Sequence, residues 1–205
     1  MNLSFLALGL SILGGYLLGS IPFGVLATRL GGVGDVRQVG SGSIGATNVL
    51  RTGRRDLALI TLAGDAGKGA VAVLLATALA SPAAGAVAGG AAFLGHLFPA
   101  WLGFRGGKGV ATFFGILFAT AWPVGLAAGA TWIAVAAIFR YSSLAGLTAA
   151  ALAPVYMVVA FGWRAPAFWL ALAMAVLIFV RHRDNIGRLL RATEPRIGAK
   201  PTPEP

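Results

Sequence analysis

The sequence contains no cysteine. Disulfides, thiolate metal sites and cysteine nucleophiles are thereby excluded. Acids are scarce too: six Asp and Glu stand against 16 Lys and Arg, with two histidines. So few, scattered carboxylates and imidazoles offer no metal-ligand spacing and no carboxylate pair for glycoside hydrolysis. Charge of either sign makes up 11% of the chain, where a soluble domain carries about 25%. Apolar residues fill the difference, at 58% of the sequence with a mean hydropathy of +0.84. That is the composition of an integral membrane protein.

The net charge is +10. It would suit a nucleic-acid partner, but in a membrane chain cytoplasmic loops collect Lys and Arg. No nucleic acid is expected on that account. The opening "MNLSFLALGL" lacks the basic n-region of a cleaved signal peptide, so the first apolar run reads as a retained helix.

Apolar stretches at 3–28, 57–80, 83–103, 110–122, 123–140, 143–161 and 166–181 predict an all-α bundle of seven transmembrane helices. The fourth is short, which leaves open an earlier start inside "GGKGVAT" or a re-entrant segment. An external N-terminus and a cytoplasmic C-terminus put 14 of the 16 Lys and Arg in inside segments, at 29–56, 104–109, 140–142 and 181–205. The outer turns "LASPAAGA" and "TAWPVG" carry no charge, as the positive-inside bias requires. Residues 1–205 read as one domain, with a proline-rich tail at 198–205 expected to be disordered.

Three polar clusters fall on the inner side. In "GSGSIGATNVLR", Gly40, Gly42 and Gly45 let backbone amides converge on an anion. Ser41, Ser43, Thr47 and Asn48 add side-chain donors, and Arg51 offers a planar fork suited to phosphate. The same stretch also reads as a flexible, positive-inside loop. In "GFRGGKG", Gly106, Gly107 and Gly109 surround Lys108. Leu102 and Gly109 stand where a Walker A motif needs Gly and Ser or Thr, so nucleotide hydrolysis is rejected. An anion site at a helix N-terminus, or a plain basic turn, remains. In "RHRDNIGRLL", His182 and Asn185 are three apart and share a helical face, while Arg181 and Arg183 read as snorkelling to headgroups.

Smaller features accompany these. Asp65 and Lys68 lie within a span and are expected to neutralise each other or face a polar cavity. Ser142 and Ser143 bring two hydroxyls to the inner face, and at least one is expected to cap the next helix. His96, ending the third span, reads as interfacial.

Together "GSIPFG" (19–24), "GSGSIGATNVLR" (40–51), "GDAGKG" (64–69), "GHLFPAWLGFRGGKGVAT" (95–112) and "RHRDNIGRLLRATEPRI" (181–197) resemble the bacterial acyl-phosphate:glycerol-3-phosphate acyltransferase family, PlsY. The motifs run in order over nearly the whole chain. Ser43 departs from the family's usual Asn, Asp184 stands where Glu is common, and Ala192 where Gly is common. The resemblance implies a multi-pass enzyme of the inner membrane that works without a cofactor or metal. It would transfer a fatty acyl group from acyl phosphate to the 1-hydroxyl of glycerol 3-phosphate at the cytoplasmic face, in contact with membrane lipid. It also implies catalytic roles for Ser41, Arg51, Lys108, His182 and Asn185, with the acceptor phosphate at the Lys108 loop. Substrate contacts are expected from Gly40, Gly42, Gly45, Thr47, Asn48, Gly106, Gly107, Gly109, Ser142 and Ser143. The rival reading is a small-anion or organophosphate transporter, against which stand the short, nearly uncharged outer loops.

Overall fold

A computed structural model describes residues 4–198. The tail expected to be disordered lies, from residue 199 onward, outside the described residues. The described residues hold ten α-helices and no strand. They are α1 (Phe5–Gly19), α2 (Phe23–Leu30), α3 (Ala46–Val49), α4 (Arg55–Leu79), α5 (Pro82–Leu97), α6 (Val110–Thr120), α7 (Trp122–Phe139), α8 (Ser142–Phe161), α9 (Pro166–Arg181) and α10 (Arg183–Leu190).

The chain marks its own helix starts. Ser81 accepts from the Ala84 amide at 3.2 Å and Pro82 opens α5, a residue suited to a first turn because its missing N–H would be unpaired there anyway. Pro166 opens α9, and Pro123 sits in the first turn of α7. Pro22 breaks the long first apolar run into α1 and α2, since it can neither donate to the helix ladder nor leave its predecessor helical.

Five segments are long and apolar enough to cross a membrane: Phe5–Leu30, Arg55–Leu79, Pro82–Leu102, Trp122–Phe139 and Ser142–Phe161. The pair α9 and α10 would add a sixth and bends by 62° at its joint, His182. Helix α6 is apolar but has only 11 residues. At 1.5 Å per residue it covers roughly half of a ~30 Å hydrocarbon layer. The apolar runs read from the sequence coincide with these helices to within a few residues, apart from the break at Pro22.

Small residues set the packing. Gly15 and Gly19 of α1 lie directly on the Ala88 and Ala92 backbone of α5, and Gly115 of α6 lies on Ala66 of α4. Such approach maximises dispersion contact where lipid supplies no hydrophobic driving force between helices. Large side chains fill the middle of the bundle: Phe93, Phe113, Ile116, Met157, Met174 and Ile178 are fully buried. A smaller core of Val25, Val36, Ile44, Val49 and Leu57 underlies the 40–51 loop.

A Cβ on Gly19 would overlap the Ala92 carbonyl. Gly19→Ala is therefore expected to destabilise the protein by about 1–3 kcal/mol, the usual range for overpacking. Gly9→Ala, with nothing within 4 Å, is expected to leave stability unchanged. Unfolding midpoints in detergent measure both.

Candidate active site

The first loop is built around Asn48, which is buried. Its Nδ2 donates to the carbonyls of Val36, Val39 and Ser43 at 3.0, 2.9 and 2.8 Å. Its Oδ1 accepts from the Ser41 amide at 3.1 Å, the Ser41 hydroxyl at 3.3 Å and Arg51 Nη1 at 3.4 Å. Every polar atom of that side chain is engaged inside the loop. Asn48, expected to bind substrate, instead shapes the loop that would. Gly40 and Gly42 take positive φ, 54° and 68°, which L side chains rarely adopt. Gly45 precedes α3, and its amide reaches Ser43 Oγ at 3.4 Å. Ser41, Gly42, Thr47 and Arg51 form the exposed rim.

The second loop doubles back onto the end of α5. The Gly106 and Gly107 amides donate to the carbonyls of Leu97 and His96, both at 3.1 Å. From the other side, Arg181 donates to the carbonyls of Gly107 and Gly106 at 3.2 and 3.0 Å. Arg181 therefore does not snorkel. It is half-buried and clamps the loop, because two carbonyls aimed at one place need a fixed, forked donor. Gly109 then turns with φ 89° and α6 begins at Val110.

The third cluster sits at the α9–α10 joint. His182 and Asn185 are both buried, at 3% and 6% exposure. The His182 ring lies 2.8 Å from the Ile178 carbonyl through Nδ1. A carbonyl only accepts, so Nδ1 carries the proton and Nε2 keeps its lone pair. Lys108 Nζ donates to Asn185 Oδ1. Asn185 Nδ2 in turn donates to Glu194 Oε1 at 2.6 Å.

Sequence reasoning missed Glu194. It is buried and also accepts from the Ser143 hydroxyl at 2.7 Å and from Arg188 Nε at 2.7 Å. The only available signal was a lone acid among the cations of "RATEPR". Neither Ser142 nor Ser143 caps α8, whose N-cap Tyr141 makes no side-chain capping bond. Ser143 goes to Glu194, and Ser142 Oγ lies 3.4 Å from Thr47 Oγ1 in the first loop. The start of α8 thus stands between the clusters: Ser142 contacts Thr47 of the first loop, and the adjacent Ser143 begins a run of hydrogen bonds through Glu194 and Asn185 to Lys108.

Comparison with known proteins gives this geometry a family. The family model described as glycerol-3-phosphate acyltransferase matches residues 9–192. The chain belongs to the glycerol-3-phosphate acyltransferase family. It is 66% identical to the glycerol-3-phosphate acyltransferase of Caulobacter vibrioides, over 97% of this chain and 91% of that relative. It is 61% identical to the one of Rhodospirillum rubrum, over 95% of this chain and 93% of that relative. A crystal structure of PlsY, an integral membrane glycerol 3-phosphate acyltransferase, in its glycerol 3-phosphate form superposes with a TM-score of 0.87. It shares 38% identity and covers 93% of this chain and 96% of its own. The lysophosphatidic acid form gives 0.85, with 36% identity and coverage of 93% and 95%. Like these relatives, this acyltransferase is a multi-pass membrane protein.

Burial first, and the Arg188 charge after it, pull the Lys108 ammonium down to about 8. A lysine attracts an anion only while protonated, so any such contribution from Lys108 is present below that value and lost above it. The expected profile is a kcat/KM for glycerol 3-phosphate that falls tenfold per pH unit above about pH 8. Lys108→Arg, always charged, should lack that falling limb relative to its own maximum.

Proposed function

We propose that the chain moves an acyl group from acyl phosphate to the 1-hydroxyl of glycerol 3-phosphate, giving lysophosphatidic acid and inorganic phosphate. This is the first acylation of phospholipid synthesis. The observation that carries the reading is the hydrogen-bonded run from Ser143 through Glu194 and Asn185 to Lys108, with the neighbouring Ser142 against Thr47, flanked by two cationic glycine loops. Both substrates bear a phosphate, and two anion loops meeting at one place suit them. Arg51 and Ser41 take the phosphate of the acyl donor, and Lys108 with the amides opening α6 takes that of the acceptor. Gly106, Gly107 and Gly109 bring backbone close to that phosphate, as Gly40, Gly42 and Gly45 do in the first loop. Thr47, Ser142 and Ser143 line the space between.

The acceptor oxygen attacks the carbonyl carbon of acyl phosphate. A new C–O ester bond forms, the bond from the carbonyl carbon to the bridging oxygen breaks, and phosphate leaves with that oxygen and the electron pair. His182 Nε2, its lone pair held open by the Nδ1 bond to Ile178, receives the hydroxyl proton and passes it to the departing phosphate. Asn185 lies three residues on and steadies the developing oxyanion through its amide. Donor activation makes positioning and charge stabilisation the main tasks, so transfer is direct, without an acyl-enzyme.

Sidedness follows from charge. The five long segments and the bent pair give up to six crossings; reading the short α6 as part of a seventh puts the N-terminus outside and the basic segments and site at the cytoplasmic face of a bacterial inner membrane. Residues 1–205 form one domain. Membrane lipid flanks the site, where the acyl chain of the donor enters.

Purified protein given acyl phosphate and radiolabelled glycerol 3-phosphate in detergent is expected to yield labelled lysophosphatidic acid. Stable acylation of the protein before acceptor is added would sink direct transfer. Uptake into vesicles without product would make the protein a transporter. His182→Ala is expected to lower kcat by about 10²-fold or more, within the range for general base loss, and full activity would remove His182 from the mechanism.

A further inference from the structure

Three motif segments, "GSIPFG", "GDAGKG" and "GHLFP", supply no side chain to the site described above, yet they meet inside the bundle. Asp65 of α4 and His96 of α5 are almost fully buried, at 1% and 3% exposure, and Lys68 of α4 at 5%. Lys68 Nζ donates to Asp65 Oδ1 at 2.7 Å and to the Ile21 carbonyl at 2.8 Å. Asp65 Oδ1 also faces His96 Nδ1 at 3.5 Å. His96, in the last turn of α5, thus faces the inside of the bundle. An ionised pair in such surroundings is retained only at a desolvation cost, so it calls for a reason.

The cluster touches the backing of both loops. The Ile21 carbonyl that Lys68 holds belongs to the break between α1 and α2, and Gly24 just beyond it lies on the Ile44 carbonyl of the first loop. On the other side, the His96 carbonyl accepts the Gly107 amide at 3.1 Å. The His96 ring lies under Gly107 so closely that a Cβ there would overlap Nε2. The loop of Lys108 is thus pressed between His96 below and Arg181 above. We propose that Asp65, Lys68 and His96 are positioning residues that hold the 40–51 and 106–109 loops in one fixed relation, so that two phosphates can be bound at once.

The inference rests on the reading that these loops grip the substrate phosphates. Lys108→Ala tests that reading by itself: an unchanged KM for glycerol 3-phosphate would sink it. Three variants test the inference. His96→Ala removes the support under Gly107. His96→Gln places an amide where Nε2 stands. Asp65→Asn with Lys68→Gln keeps a hydrogen-bonded, uncharged pair and avoids leaving one charge buried alone. His96→Ala and the paired variant are expected to raise KM for glycerol 3-phosphate at least fivefold, with kcat within threefold of wild type, and His96→Gln is expected to restore KM to within twofold. A merely structural cluster would lower the yield of active enzyme and leave KM alone. KM raised less than fivefold in the paired variant, or in His96→Ala where it folds, overturns the inference when Lys108→Ala does raise KM. So does failure of His96→Gln to restore KM.

Discussion

The cations that face the site are held by amides, not by carboxylates. Arg51 bonds to Asn48 Oδ1 and Lys108 to Asn185 Oδ1. Among the described residues, neither lies within 4.0 Å of a carboxylate oxygen. An amide oxygen orients a cation without neutralising it, which leaves the charge available to a phosphate. That arrangement is hard to keep in an apolar bundle, where an uncompensated charge is costly and an amide must itself be saturated. Much of the local structure meets the second demand. Asn48 has three carbonyls for its Nδ2, and Asn185 has Glu194.

Glu194 shows how the demand passes outward. Burial pushes its pKa up, but hydrogen bonds from Asn185, Ser143 and Arg188 outweigh that, and the carboxyl ends below its ordinary value. It stays ionised and fixes three segments that are distant in sequence: the start of α8, the first turn of α10 and the chain after it. Its ion pair is with Arg188, 2.7 Å away, while Lys108 lies beyond Asn185 and bonds to no carboxylate among the described residues. The chain after Glu194 is tied down in turn, with the Ile197 amide on the Arg140 carbonyl at 2.7 Å and Arg140 on the Ile197 carbonyl at 3.0 Å.

The helices were legible because burial in lipid needs only length and composition, and both are local. The runs at 143–161 and 166–181 became α8 and α9 almost residue for residue. The two glycine-rich loops were legible as loops because glycine, hydroxyls and cations interrupt apolar runs locally. What stayed hidden is what depends on contact between distant residues. Arg181 reads as a headgroup anchor until the carbonyls of Gly106 and Gly107, 75 and 74 positions earlier, are seen beneath it. Ser143 reads as a helix cap until Glu194 arrives from 51 positions away. Asn48 was placed on the right loop but in the wrong part of it, since donor capacity does not reveal which way an amide faces. The break at Pro22 was passed over because apolar residues continue across it.

The scarcity of acids, at first only a sign of membrane life, has a sharper meaning in the fold. Each of the five described carboxylates has a cation within 4.0 Å. Asp35 has Arg29 and Arg37, Asp56 has Arg54, Asp65 has Lys68, Asp184 has Arg183, and Glu194 has Arg188. None of these pairs includes Arg51 or Lys108, although Glu194 and Asp184 still act on Lys108 through space. Two anionic substrates must lie side by side before an acyl group can pass between them, and their mutual repulsion acts over the same few ångströms as any stray carboxylate would. A site of that kind needs surplus positive charge in a place where water screens little. On the proposed reading the amide-held Lys108, part-buried, would supply it, with Arg51 at the exposed rim. Helix α6 begins at Val110, directly after Lys108 and Gly109, so its first backbone amides stand beside that lysine.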